Sequence, residues 1–336
     1  MVEKKRDPFF DNAKFLLMVL VVFGNLLQPF IDQKGWYKDL YYTIYTFHMP
    51  AFIMISGFFA KSFDWKKGHQ VVNSFRKCII PYVFFQWVYS FFYWVTGTND
   101  HFSFQLHVPN WSLWFLLSSF FWQLSLFFFH KWSPKVGISV SLALSLLVGY
   151  LPAIGRELTL QRTVVFLPFF VIGYYLSAET VEKFEKSTLK KGFSLGFIGI
   201  FAILRLAYGI NKYMFFGSKP YEDFLNLPEW GAVVRIVTLL FAFIGMLAFF
   251  ALVPTKETWY TKCGKYTLTA YLLHGFFVKT LRIGGISDWT LPPVGLVVLL
   301  LVSLLLTYIL ASEKLAAYFQ KLSQRFSRSF YGRKKV

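Results

Sequence analysis

The sequence predicts an all-α, polytopic membrane protein of about ten transmembrane helices with both termini on the cytoplasmic side, and three observations carry that prediction. Hydrophobic residues make up 56% of the 336-residue chain and aromatic residues 21%, while only 15% are charged, against about 25% in soluble globular domains. Apolar runs able to cross a bilayer, which takes about 20 residues each, recur from end to end. The lysines and arginines gather in every second interval between those runs.

In order, the runs lie at Phe9 to Ile31, Leu40 to Ala60, Cys78 to Thr96, Trp111 to His130, Gly137 to Leu151, Thr163 to Ser177, Gly192 to Ile210, Gly231 to Val253, Tyr266 to Leu281 and Leu291 to Ala311. The fifth and sixth are the shortest. Pro109, Pro134, Pro152, Pro228, Pro254, Pro292 and Pro293 mark connections or first helical turns, where a residue without an N–H is tolerated. With the amino terminus inside, the inner segments carry 24 basic residues and the outer ones seven, the asymmetry expected of cytoplasmic loops. Lys4, Lys5 and Arg6 precede the first run, which lacks a small-residue cleavage signal, so it reads as a retained helix. Residues 1–312 form the transmembrane domain on this reading. Residues 313–336 form a basic tail with apolar residues at helical spacing (Leu315, Tyr318, Phe319, Leu322, Phe326), suited to an amphipathic helix on the inner leaflet.

A net charge of +18 in a soluble protein would suggest nucleic acid, but here the basic residues set topology and meet anionic membrane lipid, so no nucleic-acid partner is expected. Cys78 and Cys263, the two cysteines, have neither disulfide-framework nor metal-ligand spacing, and no metal is expected. Internal repeats, a Gly-rich phosphate loop, paired catalytic carboxylates and a nucleophile elbow are all missing from the sequence.

Chemistry is concentrated in polar residues inside the apolar runs. Tyr45 to Ala60 places His48, Pro50, Ser56 and Gly57 in one segment, and lipid-facing backbone or imidazole without a partner is costly, so the segment must face protein or a wet cavity. His48 is either a functional base or a structural histidine bonded between helices. In the first run, Lys14 and Asn25 are eleven residues apart, within about 20° on a helix and about 16 Å along it. Asp11, three residues before Lys14, is within pairing distance at the inner end. The second run returns inward, bringing His48 near the depth of Asn25, where the two can share a site. Gly24 and Gly57 allow close helix approach. Thr267, Tyr271 and His274 make one polar stripe on the ninth helix, with His274 near the midplane. Arg162, Arg205 and Arg235 at span positions either snorkel or bind an anionic or sugar group. Trp111 and Trp114 stand at the outer boundary, where tryptophan anchors to the interface and also stacks on sugar rings.

Six segments resemble the acyltransferase 3 family of integral-membrane acyltransferases, and within it the fucose 4-O-acetylase-like branch: RDPFFDNAKFLLMVLVVFGN, YTFHMPAFIMISGFFAKS, FRKCIIPY, WSLWFL, RTVVFLPFFVIGYYL and GKYTLTAYLLHGF. They span nearly the whole chain in family order, and the second is the most specific. The resemblance implies about ten helices and transfer of an acyl group, usually acetyl from cytoplasmic acetyl-CoA, to a hydroxyl of a cell-surface or exported glycan. It also implies a bacterial plasma-membrane location. An appended soluble esterase-like domain is not expected. One departure bears on mechanism: many members carry an arginine and, eleven residues on, a histidine that is the usual candidate base, and here those positions are Lys14 and Asn25. An amide is no general base near neutral pH. Either His48 takes that role, or transfer is weak or lost.

The resulting expectation is an O-acyltransferase with His48, Asn25 and Asp11 as the catalytic set, and with Lys14, Arg76 and Lys77 holding the phosphates of an acyl-CoA donor. Trp114, Arg162 and His274 then shape the pocket for a glycan acceptor. Two competing readings use the same residues: a transporter or flippase for a lipid-linked saccharide, favoured by Asn25, and a catalytically inactive partner in envelope polymer assembly. A homo-oligomer or an envelope-biosynthesis partner is compatible with each.

Overall fold

The computed structural model describes residues 7–63, 67–155, 157–188, 190–207, 209–319 and 321, and among these it contains helices, turns and connecting segments with no strand. The α-helices are, in order, α1 (Pro8–Leu27), α2 (Gly35–Phe59), α3 (Gly68–Val95), α4 (Trp114–Phe129), α5 (Pro134–Leu147), α6 (Leu160–Tyr175), α7 (Ala178–Lys186), α8 (Lys190–Ser194), α9 (Gly196–Leu206), α10 (Tyr213–Phe216), α11 (Gly231–Leu252), α12 (Thr267–Ile283) and α13 (Pro293–Leu310). Among the described residues, seven helical stretches, containing α1, α2, α3, α4, α6, α11 and α13, are long and apolar enough to cross a membrane. The protein is a polytopic membrane protein, as its sequence predicts.

Three of the ten expected spans lie outside these seven stretches. The fifth lies on α5, 14 residues, and the ninth on α12, 17 residues. The seventh is divided at Leu195, leaving α9 with 11 residues, about 16 Å of helix. Other helices start earlier than their apolar runs. The first turn of α2 is held by tertiary bonds that hydropathy does not register: the Tyr37 hydroxyl donates to Leu291 O at 2.9 Å, and Asp39 pairs with Arg205 at 3.6 Å. α3 extends back from Cys78 to Gly68 because Ser74, Cys78, Tyr82, Phe85 and Tyr89 form one buried helical stripe. Arg76 and Lys77 are therefore helical residues. Beyond Phe319, the expected amphipathic tail lies outside the described residues, apart from Lys321.

The chain packs as two compact units. The first takes Met1–Phe52, Ser177–Ile210 and Leu240–Ala316. Its centre is α1, which packs against α12, α13 and the 3-10 turn Thr261–Lys265 and is buried on nearly every face. Asp7 caps α1 by accepting from Phe9 N at 2.9 Å, with Pro8 in the first turn where no N–H is needed.

The second unit takes Ile53–Leu176, Asn211–Leu239 and Ala317–Val336. There α6 packs against α5 and α4, and α4 against α3. Polar side chains stitch these helices internally: Trp122 Nε1 donates to Thr163 O at 2.8 Å, Ser145 Oγ to Val165 O at 2.8 Å, and Ser118 shares a hydroxyl bond with Thr163 at 2.7 Å. Arg235, which sequence leaves between snorkelling and ligand binding, is 3% exposed and donates to Met214 O at 2.9 Å.

Candidate functional site

The first unit gathers His48, Asn25 and His274 into one buried polar cluster. His48 is in the middle of α2, where Nδ1 is 2.8 Å from Ile44 O, the carbonyl one turn back. A carbonyl only accepts, so Nδ1 carries the proton and Nε2 keeps its lone pair. Among the described residues, Nε2 of His48 has no hydrogen-bond partner. His274 on α12 is fixed the same way, with Nδ1 2.7 Å from Tyr271 O and 3.1 Å from Ala270 O. Its Nε2 is met by Asn25 Nδ2 at 3.4 Å.

The direct partner of Asn25 is thus His274, and His48 joins through an aromatic link. Tyr45 donates its hydroxyl to Asn25 Oδ1 at 3.4 Å and sets its ring against His48, centroids 4.6 Å apart at 72°. Tyr41 stacks on Tyr45 at 4.0 Å. The Tyr41 hydroxyl is buried and has no hydrogen-bond partner among the described residues. Gly24 makes this possible, since a Cβ there would sit 2.8 Å from the Tyr45 ring. Sequence reasoning overlooked Tyr41 and Tyr45, although Tyr41, Tyr45 and His48 follow the i, i+4, i+7 spacing of one helix face. It overlooked Arg282 as well, which donates from Nη2 to Asn25 O at 2.7 Å and to Gln28 Oε1 at 2.8 Å.

Asp11 does not join this cluster. On the continuous helix α1 it is fourteen residues from Asn25, about 21 Å away. Instead, Asp11 Oδ1 holds Lys14 Nζ at 2.7 Å, as the i, i+3 spacing predicts. This end of α1 is tied to the segment before α12. Asn12, fully buried, donates from Nδ2 to Pro254 O at 2.8 Å and Lys256 O at 2.9 Å, and its Oδ1 accepts from Thr261 at 2.6 Å and Thr258 at 3.2 Å. Phe15 stacks on Tyr260 at 4.8 Å, and Gly264 packs so closely on the Asp11 backbone that a Cβ would overlap it. The lysines of that segment, Lys256, Lys262 and Lys265, are exposed. An Asn12→Leu variant removes the donor to two part-buried carbonyls and the acceptor of two hydroxyls, at about 1–3 kcal/mol for each of these groups that water does not reach. It is expected to lower the thermal midpoint and open the 254–265 segment to protease; a wild-type midpoint would contradict this role for Asn12.

Four remaining candidates belong to the second unit. Trp114 and Arg162 come together there, with the Arg162 guanidinium 4.9 Å from the Trp114 ring centroid. Arg76 and Lys77 are exposed on α3. Both cysteines are free thiols, and no cluster of metal-ligating side chains occurs among the described residues.

The model of the acyltransferase 3 family, described as an acyltransferase domain, matches residues 7–312. Nodulation protein NolL of Sinorhizobium fredii is 30% identical over 225 residues, 60% of this chain and 57% of that protein. Nodulation protein NolL of Mesorhizobium japonicum is 41% identical over 66 residues, 19% of this chain and 18% of that protein. The chain thus spans little more than half the length of the first relative and under a fifth of the second. No solved structure is significantly similar to it.

Proposed function

The chain belongs to the acyltransferase 3 family, and on that premise we propose that it is an integral-membrane O-acyltransferase moving an acetyl group from cytoplasmic acetyl-CoA to a hydroxyl of a cell-surface or exported glycan. The observation that carries this reading is His48: a buried imidazole with its tautomer fixed by Ile44 O and an Nε2 lone pair without a partner among the described residues. Such a group is equipped to act as a general base. In the proposed step, Nε2 of His48 takes the proton of the acceptor hydroxyl as its oxygen attacks the thioester carbonyl. A C–O bond forms, the C–S bond breaks, and the imidazolium returns its proton to the CoA thiolate. The Tyr41 hydroxyl is our candidate donor to the oxyanion of the tetrahedral intermediate. Asn25 and His274, bonded to each other, orient the acceptor.

At the other end of α1, Lys14 is our candidate for holding the donor phosphates, together with the exposed Lys256, Lys262 and Lys265 of the segment that Asn12 anchors. This arrangement needs that end to face the cytoplasm, with both termini inside a bacterial plasma membrane. Cys263 offers the test of sidedness. Burial raises its thiol pKa above the usual value, so the reactive thiolate is scarcer at neutral pH. Maleimide is expected to label Cys263 only from the cytoplasmic side, slowly at neutral pH, with the rate still climbing at a pH where an exposed cysteine has levelled off. Labelling from outside would overturn the topology.

Acyl transfer itself is tested by mass spectrometry of surface glycans from cells with and without the protein, together with CoA release by purified protein given acetyl-CoA and the isolated glycan. The expected result is one added acyl mass per modified site and CoA released in step with it. Glycan export without a mass difference or CoA release would favour a transporter instead.

A further inference from the structure

Asn25 occupies a position where α1 lacks one of its own backbone donors. In a regular helix, the carbonyl of Asn25 accepts from the N–H of the residue four places on, but that residue is Pro29, which has none. Here α1 ends at Leu27 and gives way to the 3-10 turn Gln28–Phe30. A buried carbonyl left without a donor is costly. Arg282 supplies the donor: its Nη2 is 2.7 Å from Asn25 O and 2.8 Å from Gln28 Oε1. The same helix that carries Arg282 carries His274 eight residues earlier, about 12 Å further in.

Asn25 is therefore attached to α12 twice, by its side chain to His274 Nε2 at 3.4 Å and by its main chain to Arg282. The two attachments constrain different things. The main-chain bond fixes where the last turn of α1 stands along α12, and that position sets whether the short Asn25 amide reaches His274. We infer that Arg282 is a positioning residue: its guanidinium replaces the N–H that Pro29 cannot provide and thereby holds the Asn25 amide on Nε2 of His274. Its value for turnover rests on the acyltransferase reading; the bond itself does not.

The missing N–H also supplies the test. Pro29→Ala restores a backbone donor to the Asn25 carbonyl, so it should compensate for loss of Arg282 and for nothing else in the cluster. Full-length protein in lipid nanodiscs, labelled with 15N-histidine, reports the His274 Nε2 resonance, assigned by its loss in His274→Gln. Asn25→Ala is expected to shift that resonance, Arg282→Met to shift it in the same direction, and Pro29→Ala added to Arg282→Met to return it at least halfway. A His274 signal unmoved by Arg282→Met, or moved equally with and without Pro29→Ala, overturns the inference. If Arg282→Met does not accumulate in the membrane, recovery by Pro29→Ala supports the same bond and failure to recover overturns it. CoA release from acetyl-CoA provides the second readout. Arg282→Met should slow turnover about tenfold with KM for acetyl-CoA unchanged, and the double variant should regain most of that loss. Should wild-type protein release no CoA at all, the acyltransferase reading falls while the resonance still decides the role of Arg282.

Discussion

Replacing His48 with alanine or glutamine is expected to lower acyl transfer by about 10²–10⁴-fold, the range that a positioned general base contributes, while leaving membrane insertion intact. Glutamine is the sharper substitution. It is polar and similar in reach, so it preserves much of the packing against Tyr45, but its amide cannot accept and return a proton near neutral pH. His274→Gln should have the smaller effect, because Nε2 of His274 is already engaged by Asn25. Asn25→Ala should also fall short of the His48 effect, since on the proposed mechanism it removes an orienting group and not the base. CoA release and glycan acyl mass, measured on variants matched for membrane abundance, rank the three. A His48→Gln enzyme within a few-fold of wild type, or a His274→Gln enzyme more damaged than it, would transfer the role of base away from His48.

How much of this arrangement the sequence discloses depends on which forces set each piece. Spans and their polar interruptions are legible because lipid imposes one-dimensional rules of length, apolarity and charge placement. His48, Asn25 and His274 stand out as polar groups inside apolar runs, and the Asp11–Lys14 pair follows from spacing within one helix. The partners across helices are less legible. Depth on opposed helices suggests a direct meeting of Asn25 with His48, but rotation about each helix axis decides contact, and here it brings Asn25 to His274 on the distant α12. Arg282 escaped notice for a related reason: its job is set by a proline 253 positions earlier in the chain. Asp11 pairs with Lys14 as their spacing predicts, but the length of α1 carries it away from the histidines with which the sequence reading sets it. The early starts of α2 and α3 depend on bonds such as Tyr37 to Leu291 that no local window contains.

The largest structural effect is expected at Gly57 and Gly173. These two glycines face each other across the α2 and α6 segments of the second unit, and the contact is reciprocal: a Cβ on Gly57 would overlap the carbonyl oxygen of Phe170, and a Cβ on Gly173 would overlap that of Met54. Each clash falls on backbone, so no rotamer change relieves it, and separation of two packed helices is the remaining response. Such separation forfeits dispersion along the whole seam, the term that drives helix association where lipid is as apolar as the side chains. Overpacking usually costs about 1–3 kcal/mol, and a methyl pressed on main chain should reach or exceed the top of that range. Gly57→Ala and Gly173→Ala are each expected to lower the thermal midpoint in detergent, and Gly57→Val to prevent accumulation in the membrane. Gly24→Ala provides the internal comparison, because the atom its Cβ meets at 2.8 Å belongs to the Tyr45 ring, which can tilt away. That variant should keep most of its stability and lose activity through displacement of Tyr45 from Asn25. Equal midpoints for Gly57→Ala and wild type would refute backbone contact at the seam. A Gly24→Ala protein with full stability and full transfer activity would show that Tyr45 has no part in orienting Asn25.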